Sequence, residues 1–257
     1  MAEYQFDPEL ARERLVRKIA DFVRGAGQGR VVLGISGGKD STVAAALCAR
    51  ALGPGSVYGI MMPDGIQKDI ADSKRVCQSL GINYRIVNIN EMHNALLKAV
   101  EAGSNGEISD FPVAFSEESN VNVGPRLRMT TLRYIGQALG AFLCGTGNLS
   151  EATVGYCTKD GDTSCDFNPL GTLTSVEVVQ MGLTMPELPR ELVQKTPDDG
   201  LSGVPDEVKL GITYRQIHDY LRLGSCGDPA MDEKIAGREK ANMHKRRLPT
   251  ILDAWTE

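Results

Sequence analysis

The chain has 257 residues, 42% hydrophobic and 24% charged, with a formal net charge of −5. That length admits one large domain or two small ones, and the acidic balance argues against a general nucleic-acid binder. The start, "MAEYQFDPELARERLVRKIADFV", is charged and amphipathic, without the apolar core of a secretory signal, and no window approaches the ~18 apolar residues of a membrane span. Six cysteines, Cys48, Cys77, Cys144, Cys157, Cys165 and Cys226, contain no C-x-x-C pair, and three scattered histidines make a poor zinc set. A cytoplasmic protein with buried, reduced thiols is expected.

In chain order, Arg12 to Arg24 reads as a helix with Leu15, Ile19, Phe22 and Val23 on one face. Val31 to Ile35 reads as a buried strand, Ser41 to Leu52 as a helix, and Val57 to Met62 as a second strand stopped by Pro63-Asp64-Gly65. Lys68 to Leu80 reads as a helix closed by Gly81, Tyr84 to Ile89 as a third strand, and Glu91 to Glu101 as a helix with Asn90 as its cap. Gly103 to Ser116 is loop-like. Val123 to Leu139 reads as a helix whose start Gly124-Pro125 could delay, and Ala141 to Cys144 as a fourth strand. The polar stretch "TKDGDTSCDFNPLGTLT" reads as loop around one more short strand. Short helices follow at Ser175 to Met181 and Pro189 to Val193, then a polar loop from Lys195 to Gly211, then helices at Thr213 to Leu223 and Met231 to Arg247. Strands alternating with helices predict a parallel sheet covered on both faces.

The stretch "VVLGISGGKDSTVAAALCAR" runs from a strand through small residues into a helix. Free N–H groups of the first helical turn and the helix dipole make such a place an anion site. Gly37 and Gly38 let the backbone approach a phosphate, and Ser36 and Ser41 add hydroxyls. Asp40 would repel a phosphate unless a cation lay between them, which points to Mg²⁺. The pattern G-x-x-x-x-G-K-[ST] fails twice, because Leu33 stands where its first glycine belongs and Asp40 follows Gly38-Lys39. Nor does the stretch contain G-x-G-x-x-G.

"SGGKDS" resembles the S-G-G-x-D-S signature of the N-type ATP pyrophosphatases (the PP-loop family). Downstream, "GTGNLSEATVGYCTKDGDTSCDFNPLGTLT", with "RLRMTTLRYIG", "DEVKLGITY" and "HKRRLP", is similar to the ammonia-dependent NAD synthetases. The similarity extends from about Val31 onward. It implies a Rossmann-like doubly wound parallel sheet of about five strands, of the adenine nucleotide alpha hydrolase type, plus C-terminal helices. It also implies that residues 1–257 form a single synthetase domain with no separate glutaminase domain. The implied reaction amidates deamido-NAD with ammonia and ATP through an acyl-adenylate, releasing AMP and pyrophosphate.

Carried over by position, Gly34, Ile35, Ser36, Gly37, Gly38, Lys39, Asp40, Ser41 and Thr146 would hold ATP. Ser36, Lys39 and Asp40 would serve the chemistry, and Asp40 and Glu151 would bind Mg²⁺. Arg126, Lys159, Asp166, His244 and Lys245 would hold deamido-NAD. Without the resemblance, Arg126 reads as a solvated helix residue, Lys159 and Asp166 as loop polar groups, Glu151 as a first-turn carboxylate, and His244-Lys245 as charge at a helix end. Two positions depart from the family pattern: Ser175 stands where many members have a lysine, and Asp198 where they have a serine or threonine. Lys195, Lys39 or Lys68 would compensate.

Gly65 to Lys68 and Leu201 to Asp206 are the expected lids. A homodimer is implied, with no nucleic-acid or membrane partner. Two other readings stay open: a PP-loop enzyme amidating or thiolating a nucleotide or tRNA base, and a non-catalytic adenine-nucleotide-binding module.

Overall fold

A computed structural model describes residues 4–67, 70–103, 115–196 and 205–247. Helix α1 spans Pro8–Gly25 and begins before Arg12, because Asp7 caps it by accepting from the N–H groups of Glu9 and Leu10, with Pro8 in the first turn. Next come β1 (Val31–Gly34), α2 (Lys39–Leu52), a single 3-10 turn (Pro54–Ser56), β2 (Val57–Met61), α3 (Ile70–Leu80), β3 (Asn83–Ile86) and α4 (Asn90–Glu101). Strand β3 ends earlier than expected, but Val87 N–H and Ile89 N–H still donate to Met61 O at the end of β2 and to Pro63 O just past it. Asn90 is the first residue of α4 rather than its cap, and its amide reaches Asp64 instead.

Helix α5 spans Glu117–Val121 and α6 spans Val123–Leu139. Pro125 does not delay α6, since a first-turn residue has no intrahelical N–H partner to lose. Strand β4 is Phe142–Leu143, and the expected fifth strand is present only as an isolated bridge between Cys144 and Phe167. Then follow α7 (Leu149–Val154), α8 (Ser175–Gly182), α9 (Arg190–Val193), α10 (Asp206–Leu210), α11 (Tyr214–Leu223), α12 (Pro229–Asn242) and a final 3-10 turn (Met243–Lys245). Helix α10 lies in a stretch that reads as loop, whereas α7 begins where Glu151 reads as a first-turn carboxylate.

The four strands are parallel, in the order β3-β2-β1-β4. Side chains alternate along β1, so Val31 and Leu33 face one layer and Val32 the other. The first layer packs α1, α2, α8 and α9 around the buried run Val43 to Cys48. The second lays α6 on the sheet through Leu132 and Leu127, against Val32, Ile60 and Leu143. Gly136 permits that approach: a Cβ there would stand 3.0 Å from Val32 Cγ1. A third cluster joins α7, α10, α11 and α12 through Val154, Leu210, Ile212, Ile217 and Ile235. Among the described residues, no helix is long and apolar enough to cross a membrane. Cys48, Cys77 and Cys144 are buried free thiols, whereas Cys157, Cys165 and Cys226 are partly exposed.

The start of α8 is tied down by polar side chains. Thr174 and Glu177 form its capping box, and Thr174 Oγ1 lies 2.7 Å from His218 Nδ1 on α11. Burial lowers the pKa of His218 below its ordinary 6.5. Its neutral form therefore favours the folded chain: this stability is present above the unfolded pKa and is lost as pH falls through the lower folded value. The expected result is that the unfolding midpoint of the wild type falls, relative to that of His218→Gln, as pH drops below about 6.5. Parallel midpoint curves would remove His218 from the account.

Candidate active site

Strand β1 has β2 on one side and β4 on the other, so the connections that leave the carboxyl ends of β1 and β4 diverge. Open parallel sheets bind ligands in the crevice this creates. A cleft of about 520 Å³ lies there. Gly34, Ile35, Ser36, Gly38, Lys39, Asp40 and Ser41 line it after β1, Met62 and Asp64 after β2, and Thr146 and Glu151 after β4. Arg128 of α6, Lys195, Tyr156 and Asp206 also line it.

The glycine loop is held by its own hydroxyls. Ser36 Oγ lies 3.0 Å from Ser41 Oγ and accepts from Gly38 N–H, while Ser41 Oγ also donates to Gly38 O. Gly38 occupies the cap position of α2 without a side-chain cap, which leaves first-turn N–H groups for a ligand. Gly37 has φ +81°, and a Cβ there would lie 3.1 Å from both Ser73 N and Ser73 Oγ. Gly37→Ala is expected to cost roughly 1–3 kcal/mol of stability and to weaken triphosphate binding, both from backbone strain. Thermal melts and calorimetric titration with an ATP analogue would check this; wild-type values in both would contradict it.

Two carboxylates meet across the cleft. Asp40 Oδ1 accepts from Asn148 Nδ2 at 3.0 Å, and Asp40 Oδ2 accepts from Lys39 Nζ at 2.7 Å. Asn148 is also the cap of α7. Its side chain accepts from Glu151 N–H, and Glu151 Oε2 accepts from Asn148 N–H. One capping box thus aims Glu151 at Asp40. Loss of water around the Glu151 carboxyl, together with Asp40, pushes its pKa up to about 8. Such under-compensated hard oxygen donors suit Mg²⁺, which takes one or two carboxylates and completes its shell with phosphate oxygens and water. Among the described residues no group of three or more His, Cys, Asp or Glu is placed to hold a metal.

Burial opposes the charge of Lys39, but Asp40 and then Glu151 outweigh it and raise its pKa. Its ammonium also lies over the ring of Tyr214, 5.2 Å from the centroid. Tyr214 and Tyr156 donate their hydroxyls to the two oxygens of Asp206, at 3.1 and 3.0 Å. Burial, then Glu151 and Asp206, push the Tyr214 phenol far above its ordinary value, so it remains a donor.

Arg126, Lys159, Asp166, His244 and Lys245 lie outside the wall of this cleft. Arg126 and Lys159 are neighbours, with Arg126 Nε donating to Lys159 O at 3.3 Å, beside the wall residues Pro125 and Gly161. Asp166 pairs with Arg133 and accepts from Leu143 N–H, so it also fastens the end of β4. Lys245 donates to Gly155 O and Cys157 O at the end of α7, and the His244 ring faces Ala241 O. Ser175 is buried at the start of α8, its N–H donating to Ser150 Oγ. Lys195 lines the cleft and pairs with Asp72, whereas Lys68, Asp198 and residues 201–204 lie outside the described residues.

Several residues that build the site were not foreseen. Asn148 stands inside "GTGNLSE", where an S/T/D/N cap followed by glutamate three residues later was a readable signal. Arg128 is held by Nε donating to Met62 O at 3.0 Å, and Asp64 accepts from Asn90 and pairs with His93. These contacts are long-range and leave no local pattern.

The sequence model of the NAD synthase family matches residues 11–249. An NH(3)-dependent NAD(+) synthetase of Archaeoglobus fulgidus is 35% identical over 250 residues, covering 93% of this chain and 96% of the relative. Among solved structures, an NMN synthetase from Francisella tularensis superposes with TM-score 0.87 at 27% identity, covering 97% of this chain and 100% of the other. An NH3-dependent NAD synthetase from Campylobacter jejuni subsp. jejuni NCTC 11168 superposes with TM-score 0.76, also at 27% identity and with the same coverage. A family match along nearly the whole chain and a shared fold agree with a glycine loop and carboxylate pair at the sheet's switch point: the chain belongs to the NAD synthase family.

Proposed function

We propose that the protein amidates deamido-NAD with ammonia at the expense of ATP, releasing AMP and pyrophosphate. The observation that carries this reading is the pair Asp40, at the end of the glycine loop, and Glu151, joined through Asn148 and both lining the cleft. Loop amides at the start of α2 receive the β- and γ-phosphates. Asp40 and Glu151 would hold Mg²⁺, which supplies charge neutralisation for the departing pyrophosphate. The nicotinate carboxylate attacks the α-phosphorus, pyrophosphate leaves, and ammonia then displaces AMP from the acyl-adenylate. The chain's part is positioning, charge stabilisation and exclusion of water.

Thr146 stands at the end of β4 beside the loop and contacts ATP in this reading. Arg126 and Lys159 pair with the anionic groups of the dinucleotide, with Asp166, His244 and Lys245 as its further contacts. We assign a homodimer of single-domain subunits in the cytoplasm, with free ammonia as nitrogen donor and neither nucleic acid nor membrane as partner. Tyr134 on α6 and Leu223 on α11, 77% and 63% exposed, are apolar surface available to a second subunit.

A second reading, amidation of nicotinate mononucleotide, is favoured by the superposition on the NMN synthetase. Incubation with ATP, Mg²⁺, ammonium and either acid, scoring AMP and amide together, decides between them. Faster turnover of the mononucleotide would move the substrate assignment. ADP and orthophosphate as products would overturn both readings.

A further inference from the structure

Lys39 is the first residue of α2 and lies on the wall of an open cleft, yet only 3% of it is exposed. A lysine beside open solvent ordinarily extends its ammonium into water. Here the side chain turns inward, over Tyr214, and its ammonium sits 2.7 Å from Asp40 Oδ2. The other oxygen of Asp40 is taken by Asn148, and Glu151 Oε2 by the Asn148 N–H. Asp206, held by Tyr214 and Tyr156, adds negative charge to the same pocket.

We propose that Lys39 is a tethered counter-ion that closes the carboxylate pair to divalent metal until a triphosphate enters. A metal ion approaching Asp40 in the free protein meets a fixed positive charge already against the oxygen it needs. Two cations a few ångströms apart in a cleft of reduced dielectric repel strongly. A triphosphate changes both sides of that competition. It offers the ammonium a new anionic partner next to the glycine loop, and the freed Asp40 oxygen turns to the metal that the phosphates bring. Metal and nucleotide therefore bind interdependently, each raising the affinity of the other by the same factor. The inference rests on Asp40 and Glu151 as the metal pair, and does not depend on which acid is amidated.

The test is Mn²⁺ binding without nucleotide, followed by the electron paramagnetic resonance signal of free Mn²⁺. Lys39→Met is expected to bind Mn²⁺ at least ~10-fold more tightly than the wild type, because a charge is removed. Lys39→Arg, which keeps the charge, should remain as weak as the wild type. Lys39→Gln, also uncharged, serves as the second variant should Met disturb folding, and carries the same expectation. Uncharged variants no tighter than the wild type, or an arginine variant as tight as they are, would overturn the proposal. Since no acid substrate is present, failure here is separate from failure of the product assay.

Discussion

Asp40→Asn is expected to reduce AMP release and amide formation together by roughly three orders of magnitude while the fold survives. The size follows from the several kcal/mol of charge stabilisation that a metal held by Asp40 would supply, about 1.4 kcal/mol per tenfold in rate. Asparagine keeps the shape of Asp40 and an oxygen able to accept from Asn148 Nδ2, so the link to α7 can persist. What it removes is the charge that a cation needs. Glu151→Gln makes the companion case: its amide oxygen can still accept from Asn148 N–H and preserve the capping box. Glu151→Ala would lose charge and cap together, and should cost about 1 kcal/mol of stability beyond the loss of turnover. Single-turnover measurement of AMP and thermal melts separate the two effects. Near-normal rates in both Asp40→Asn and Glu151→Gln would remove the carboxylate pair from the chemistry.

The second large effect lies away from the cleft. Arg222→Leu should destabilise the chain by roughly 3–5 kcal/mol, because it strands a buried charge. Glu177 is fully buried, and Arg222 meets both its oxygens at 2.7 and 2.6 Å. Tyr4 donates to Glu177 and stacks against Arg222, so one knot joins the N-terminal arm, α8 and α11. Burial works against the charge of Glu177, but Arg222, Tyr4 and the Thr174 N–H outweigh it and hold its pKa below the ordinary value. Stability from this group is therefore present above the unfolded carboxylate pKa and lost as pH falls through the folded one. For a chain of this size the fall in Tm is about 2–4 °C per kcal/mol. Glu177→Gln added to Arg222→Leu should recover part of the loss, since no charge remains to strand. An unchanged Tm in Arg222→Leu would mean that water reaches Glu177.

The strand–loop–helix around Gly37 and Gly38 was legible because every feature of it is local: β-branched residues, small residues, then helix formers. Helix α6 was legible because it is long and periodic, with its start left open by Gly124-Pro125 and its end closed by Gly140 in a left-handed conformation. The six-residue α7 was legible only through Glu151, read as a first-turn carboxylate, since so few residues carry no periodicity and give no bounds. Asn90 read as a cap by residue type, but its amide satisfies Asp64, and the helix includes it.

By itself the sequence determined the alternation of strands and helices, the glycine loop between β1 and α2 and the family, all of which depend on neighbours along the chain or on shared motifs. Only the tertiary structure decided that Arg128 rather than Arg126 walls the cleft, and that Lys39 turns inward onto Asp40 and Tyr214. The physical reason is that two arginines two residues apart on a helix point in different directions, and which direction meets the cleft depends on how α6 lies on the sheet. Lys39 likewise meets a ring 175 positions later in the chain, brought there by burial of the α11 apolar face, which no local pattern encodes.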